Sequence, residues 1–406
     1  MKKNMLQVVI GLVLVFSLVL TGCTAAPTVA PTVAATEVPV VATTVAATAA
    51  PTDAPVAAVD PVAALAALEG QVFSAGPNGE TPTAASEVVL TDAELAQIKD
   101  MHATAAIVMH YAGNDWSNAQ VAGLKAQFAA MGIEVVAVTD AGFKPEKQVS
   151  DIETVMAMKP NIIVSIPTDP VATSTAYKAA AAAGIKLVFM DNVPANMKQG
   201  TDYISVVSAD NYGNGVAAAH LMAKSIGSEG KIGVIYHEAD FFVTKQRYEA
   251  FVKTIKDNYP NIQIVEEQGI TGPDFAGDAE KAASAMMTKN ADLKGIWAVW
   301  DVPAEGVMAA ARAMGRDKDL VITTIDLGLN VAVEIAKGGM VKGLGAQRPY
   351  DQGVTEAILA GYGLLNKTAP AYVALYMLPV DQQNVLEAWK TVYHADPPAD
   401  ITNAAK

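Results

Sequence analysis

The chain has 406 residues, a formal net charge of −14, 17% charged residues and 51% hydrophobic ones. So acidic a balance excludes a nucleic-acid partner, which needs a basic face, and so apolar a composition belongs to a packed globular body. A single cysteine, Cys23, excludes an intrachain disulfide and a cysteine-based zinc site. The five histidines (His102, His110, His220, His237, His394) never pair at metal-ligand spacing, so neither a metal nor another cofactor is expected.

The N-terminus reads as an export signal. Lys2 and Lys3 precede the apolar run Val8–Leu20, too short and too early for an ordinary span. The next residues, Leu20-Thr21-Gly22-Cys23, resemble the bacterial lipobox. That resemblance implies a signal over 1–23, lipidation of Cys23, and a protein held to the cell membrane outside the cytoplasm. Residues 24–85 are mostly Ala, Thr, Pro and Val, and recurrent proline blocks helix and ladder, so an extended disordered tether is expected. No Lys or Arg occurs between Lys3 and Lys99, so anionic headgroups do not attract this stretch. Within Leu90–Asp100 a short helix is expected, capped by Thr91 or Asp92, with Glu94 near the capping-box position.

From Ala103 the pattern alternates strand, loop and helix. Strands are predicted at Ala105–Met109, Ile133–Val138, Ile162–Ile166, Ile185–Met190 and Tyr203–Ser208, separated by helices that end at Gly132, at Lys159-Pro160 and at Gly184. The cycle restarts with helix Gly213–Ile226, strand Lys231–Tyr236, helix Lys245–Asn258 and strand Ile262–Glu267. Helix Phe275–Thr288, strand Gly295–Trp300 and strand Leu320–Ile325 follow, then helix Leu329–Lys337, strand Val341–Ala346, helix Asp351–Leu365 and an extended piece, Tyr372–Leu378. The fold class is therefore α/β, with two doubly wound parallel-sheet lobes in tandem. One lobe spans 86–211 with 347–378 returning to it. The other spans 212–346 with 379–394 returning, and 395–406 form a tail.

Gly213-Asn214-Gly215 faintly matches a dinucleotide fingerprint, but Ser208–Tyr212 separates it from the strand, so it is read as a structural helix entry. No phosphate loop, zinc-protease or nucleophile-elbow motif occurs. What remains is a set of polar and aromatic residues just past strand C-termini, the edge where open α/β sheets bind ligands. They are His110 with Asn114-Asp115-Trp116, Asp191-Asn192, Lys245 with Arg247, Pro273-Asp274-Phe275, Trp300-Asp301, Asp326, and Gln347-Arg348. Singly each has an ordinary explanation as a cap, a turn, a core ring or a solvated charge. Together they offer stacking plates (Trp116, Phe275, Trp300), carboxylate acceptors (Asp191, Asp301, Asp326) and donors (Asn114, Asn192, Lys245, Gln347). That mix suits a small neutral, hydroxyl-rich ligand held between facing lobes.

At these residues the chain resembles the type I periplasmic sugar-binding proteins of ABC importers, of the ribose-binding kind. The segments AGNDWSNAQVAGLKAQFAAMG, IVSIPTDPVA, GIKLVFMDN, SADNYGNGVAAAHLMA, KQRYEAF, WDVPAEGVMAAARAMG, TIDL and GLGAQRPYDQGV carry the resemblance in order. It implies two lobes joined by crossover hinge strands, closing on a sugar that is passed to an ABC permease driven by separate ATPase subunits. It also implies a monomer without catalysis. Position by position, it makes Asn114 and Trp116 first-loop ligands and Asp191-Asn192 a hydroxyl grip in which Asn replaces an Arg. Lys245 falls on a ligand Arg and Arg247 on a structural one. Phe275 falls on a stacking ring, Trp300 on an Asn with Asp301 beside it, and Asp326 and Gln347 on the remaining hydroxyl binders. The substitutions at Asn192, Lys245 and Trp300 take ribose itself out of the implication. A LacI-type regulator of the same fold needs a basic helix-turn-helix that this chain lacks. An enzyme using the Asp residues needs acids that pair, and these lie far apart in sequence. A binding protein for a nucleoside or signalling molecule is the remaining alternative, because bases also stack on Trp.

Overall fold

The computed structural model describes residues 59–406; the expected signal, Cys23 and residues 24–58 of the expected tether lie outside the described residues. α1 (Pro61–Ala67) opens the described chain and packs on the second lobe; the first lobe is then built from β1 (Thr83–Ala84), α2 (Asp92–Asp100), β2 (Thr104–Met109), α3 (Asp115–Ala130), β3 (Glu134–Asp140), α4 (Pro145–Ala157), β4 (Ile162–Ser165), α5 (Ser174–Ala182), β5 (Lys186–Met190) and β6 (Ser205–Ala209). The second follows as α6 (Asn211–Ile226), β7 (Gly230–His237), α7 (Phe242–Asn258), β8 (Ile262–Ile270), α8 (Phe275–Lys289), β9 (Leu293–Ala298), α9 (Asp301–Ala313), β10 (Val321–Ile325), α10 (Leu329–Ala336) and β11 (Val341–Ala346). The chain ends in α11 (Pro349–Leu364), β12 (Tyr372–Leu375), β13 (Leu378–Val380), α12 (Val385–Tyr393) and α13 (Ala399–Ala404).

Two sheets result, ordered β1-β12-β6-β5-β4-β2-β3 and β13-β11-β10-β9-β7-β8. Their pairings are parallel except that between β11 and β13. Strands buried on both faces must be apolar throughout, and β4 (IIVS) is buried at all four positions. Alternation then sorts the side chains: Ala105, Ile107 and Met109 of β2 enter one core layer, while Ala106 and Val108 enter the layer on the opposite face. In the second sheet, Ile296 and Ala298 of β9 face one layer, and Trp297 with Val299 face the other.

After β1 the chain crosses between lobes three times: at Asp210 between β6 and α6, at Gln347-Arg348 between β11 and α11, and at Tyr376-Met377 between β12 and β13. After the second crossing α11 packs along α3. A Cβ at Gly123 would collide with the Tyr350 carbonyl oxygen, and one at Gly353 with that of Gln120, so these two glycines permit the close approach.

The expectation of a tether as far as residue 85 is corrected by this structure. Asp60 caps α1 by accepting from the Val62 amide, and Pro61 occupies the first helical turn, where proline starts a helix rather than breaking one. Leu68 then packs against Ala217 and Met377. The buried Asp210 carboxylate accepts from the Phe73 amide (2.9 Å), the Ser74 amide (2.9 Å), the Ser74 hydroxyl (2.8 Å) and the Gly213 amide (2.8 Å). β1 finally joins the first sheet beside β12. Residues 59–84 therefore form a strap from the second lobe, past the first crossing, to the first lobe. The expected C-terminal tail is likewise partly helical: α13 buries Ile401. Further on, Thr91 caps α2 and Glu94 completes a reciprocal capping box.

Candidate ligand-binding cleft

One cavity lies between the lobes, and most of the residues lining it follow the C-terminal end of a parallel strand. His110, Tyr111, Asn114 and Trp116 follow β2, Phe143 follows β3, Ile166 follows β4 and Asp191 follows β5. From the other lobe come His237 at the end of β7, Phe275 after β8, Trp300 and Val302 after β9, Asp326 after β10 and Gln347 after β11. Phe241 and three residues of α7 (Val243, Thr244, Arg247) complete the wall. Counted from β2 and from β7, the lobes match in order: a histidine at the end of the first strand, a phenylalanine after the second, an aspartate after the fourth.

The aspartates anchor the polar part. Asp326 is 7% exposed; its Oδ1 accepts from Gln347 Nε2 (2.6 Å) and its Oδ2 from Arg247 Nη1 (3.2 Å). Arg247 also donates from Nε to Asn211 Oδ1 (2.8 Å) and from Nη1 to the Val299 carbonyl (3.3 Å). Asp191 Oδ1 accepts from the Ser208 hydroxyl (2.6 Å) and Gln352 Nε2 (3.3 Å), while its Oδ2 takes no hydrogen bond from the described residues. Burial pushes the Asp191 carboxyl up to about 6 against the pull of Ser208 and of the Arg247 charge. Both histidines are held neutral. Burial lowers His110 to about 3 and His237 to about 4, with Arg247 opposing protonation of the latter.

The rings form a continuous wall across both lobes. His110 meets Phe143 edge-on at 4.8 Å, Phe143 meets Phe275 at 5.5 Å, and Phe275 meets Trp300 at 4.9 Å. His110 stacks on Phe241 at 5.8 Å. His110 Nδ1, Trp116 Nε1 and Gln347 Oε1 are buried and have no hydrogen-bond partner among the described residues. The lobes also touch beside the cleft, where the Asp115 carboxylate accepts from the Leu329 amide (2.7 Å) at the start of α10.

Of the residues expected from the sequence, Asn114, Trp116, Asp191, Phe275, Trp300, Asp326 and Gln347 line the cavity. Asn114 has a second task, since its Oδ1 caps α3 by accepting from the Ser117 amide. Three expected residues are not among those lining it. Lys245 is exposed, because α7 begins at Phe242 and turns Val243, Thr244 and Arg247 inward together, leaving 245 on the far face. Arg247, which the resemblance made a structural residue, is the cation that lines the cleft among the described residues. Asn192 turns away and donates to the Pro167 carbonyl (3.1 Å). Asp301 is buried behind Trp300 with its Oδ1 accepting from the Val302 amide (2.9 Å); burial first, then the charges of Asp326 and Glu305, raise its carboxyl well above the usual range. Tyr111, Phe143, His237, Phe241 and Thr244 were not expected. His237 and Phe143 obey the same strand-end rule that found the others.

The sequence profile of the periplasmic binding protein domain matches residues 105–367. This chain belongs to the periplasmic binding protein family. Among its relatives, the ribose import binding protein of Bacillus subtilis is 27% identical over 198 residues, covering 48% of this chain and 61% of that one. The putative rhizopine-binding protein of Rhizobium meliloti is 27% identical over 197 residues, covering 46% and 60%. The matches thus span about three fifths of these two relatives' length. Among solved structures, an ABC transporter solute-binding protein of Agrobacterium vitis bound with α-D-tagatopyranose has a TM-score of 0.66 at 24% identity, covering 71% of this chain and 99% of that one. A second, from the same species and with bound allitol, has a TM-score of 0.62 at 26% identity, covering 71% and 98%. The fold is the two-lobed type I form of the periplasmic binding protein family.

Proposed function

We propose that this chain is an extracytoplasmic solute-binding protein, lipid-anchored through Cys23, that captures a sugar or sugar alcohol between its lobes and delivers it to the permease of an ABC importer. The observation that carries this reading is the convergence of strand ends from both lobes on one cleft whose only charged lining groups, among the described residues, are two buried aspartates and one arginine. Carboxylates and Gln347 accept from or donate to hydroxyls, and ring faces cover the C–H side of a sugar. The names of the relatives and the ligands of the two neighbours point the same way. Asn114, Trp116, Asp191, Phe275, Trp300, Asp326 and Gln347 bind the ligand, joined by Arg247. Lobe closure about the three crossings removes water from this polar cluster, and the permease reads the closed shape. Transport energy comes from separate ATPase subunits, since no phosphate loop occurs in this sequence.

The continuous ring wall also favours a second ligand class, nucleosides, whose bases stack as sugars do. Thermal melting of the purified chain against monosaccharides, polyols and nucleosides decides between them. A ligand at a hundred times its Kd adds about 2.7 kcal/mol to stability. A sugar or polyol shift supports the first reading; a shift with nucleosides alone replaces the ligand and keeps the binding role.

A further inference from the structure

The side chains in the cleft change its charge account. With Lys245 turned to solvent and Asn192 turned to the Pro167 carbonyl, Arg247 is the one cation lining the cavity among the described residues. Arg247 is already committed: it pairs with Asp326 at 3.2 Å and donates to Asn211 and to the Val299 carbonyl. Asp191 is only 2% exposed and has no ion-pair partner among the described residues. Two neutral donors hold its Oδ1, and none reaches its Oδ2. Arg247 and Asp326 act on it through space in opposite senses. The cleft therefore carries one uncompensated negative charge, and both histidines that line it are neutral. A buried carboxylate without a counter-charge is costly, and a hydroxyl group relieves that cost only in part because it brings no charge. Much of the remaining lining is aromatic: Phe143, Phe275 and Trp300 form a chain of rings across the lobe boundary. Ring faces around a desolvated space attract cations and give nothing to anions.

We propose that the ligand of this cleft is a polyhydroxylated amine, an amino sugar or aminocyclitol, whose ammonium group pairs with Asp191 and lies against the ring wall. This deepens the sugar-binding reading above and rests on it. The pairing neutralises Asp191, while Asp326, held by Arg247 and Gln347, meets the hydroxyls. An anionic sugar is rejected by the same charge balance.

Calorimetric titration of the purified chain with matched sets tests this: D-glucose, D-glucosamine and N-acetyl-D-glucosamine; the same three of the galactose series; and myo-inositol with its monoamino counterpart. The amine of at least one set binds about tenfold or more tightly than both its parent and its acetylated form, the size expected of a charge pair with cation–π support. Acetylation removes the charge without touching the protein, so this comparison does not depend on any variant folding. Asp191→Asn, confirmed folded by its melting curve, then reduces the amine to the affinity of its parent. Parents that bind as tightly as their amines overturn the amine inference and leave the sugar-binding reading standing. If no member of any set binds while another sugar or polyol shifts the melt, the amine inference alone falls; if none binds and none shifts it, both readings fall.

Discussion

Asp191 and Asp326 occupy the same place in the two lobes. Each follows the fourth strand counted from β2 or from β7, each is buried, and each has a backbone φ in the left-handed region, 55° and 71° respectively. Aspartate tolerates that conformation better than most residues, and the turn aims the carboxylate back over the sheet edge. Their surroundings differ. Asp326 has Arg247 as its counter-ion, whereas Asp191 has only neutral donors. The cleft is thus built from two equivalent positions with unequal charge environments, and that inequality generates most of what can be tested.

The acidity of Asp191 has a consequence for stability. Its carboxyl is raised in the folded chain from the usual 3.8 to about 6, so between those values the native state binds more protons than the unfolded one. Its contribution to stability is therefore largest at low pH and is lost as pH rises through about 6. Asp191→Asn removes that slope. Relative to wild type, the ligand-free variant gains on the order of 2 kcal/mol more at pH 7.5 than at pH 4.5. Denaturant melts at the two pH values measure it, and equal gains at both would contradict the assignment.

The phase of α7 predicts opposite results for two neighbouring cations. Arg247→Ala strands the buried Asp326 and lowers stability by about 3–5 kcal/mol, the usual effect of breaking a buried pair. Ligand affinity falls with it, by more than about a hundredfold. Lys245→Ala, on the exposed face, changes melting temperature and affinity little. Titration and melting of both variants check this; a loss of binding in Lys245→Ala alone would mean that the helix is turned the other way in the working protein.

Closure involves a contact outside the ligand. Asp115, the first residue of α3, accepts from the Leu329 amide at the start of α10 on the other lobe, a charge-assisted bond favoured by the helix dipole. Asp115→Ala removes it, and the lobes of the ligand-free chain open further, seen as a larger radius of gyration in small-angle scattering. Affinity drops about tenfold, corresponding to a bond of roughly 1.5 kcal/mol. An unchanged radius with unchanged affinity would show that this contact does not hold the lobes.

One acceptor, Asp210, holds the middle of the strap over residues 59–84. Asp210→Ala leaves the Phe73, Ser74 and Gly213 amides without their partner beside the first crossing. A stability loss of about 2–4 kcal/mol is expected by chemical denaturation, far more than an exposed carboxylate would give. A loss below about 0.5 kcal/mol would mean that the strap is not held there.

The lobes and their order were legible because alternating apolar strands and amphipathic helices leave little choice but a parallel sheet covered on both faces. The strand-end rule then located Asn114, Trp116, Asp191, Phe275, Trp300, Asp326 and Gln347, since the edge of such a sheet is set by where the apolar run stops. Orientation around a helix or a turn was not legible in the same way. The resemblance made Lys245 and not Arg247 the cleft cation, and the phase of α7, which begins at Phe242, turns Arg247 inward instead. Asn192 and Asp301 are each one residue past a true lining residue, and a single residue changes the direction of a side chain. The strap was hidden by composition: an Ala- and Pro-rich stretch becomes helical only where Asp60 caps it and the second lobe offers an apolar seat, and both are tertiary facts.

The proposed function requires a sugar-like ligand to bind between the lobes on the paired aspartates. Its most direct test is calorimetric titration of the tightest ligand found by melting into wild type and into the double variant Asp191→Asn/Asp326→Asn, which keeps the shape of both side chains. Affinity at least about a hundredfold lower in a folded double variant is the predicted result. Equal affinity in both proteins would place the ligand elsewhere and contradict the account.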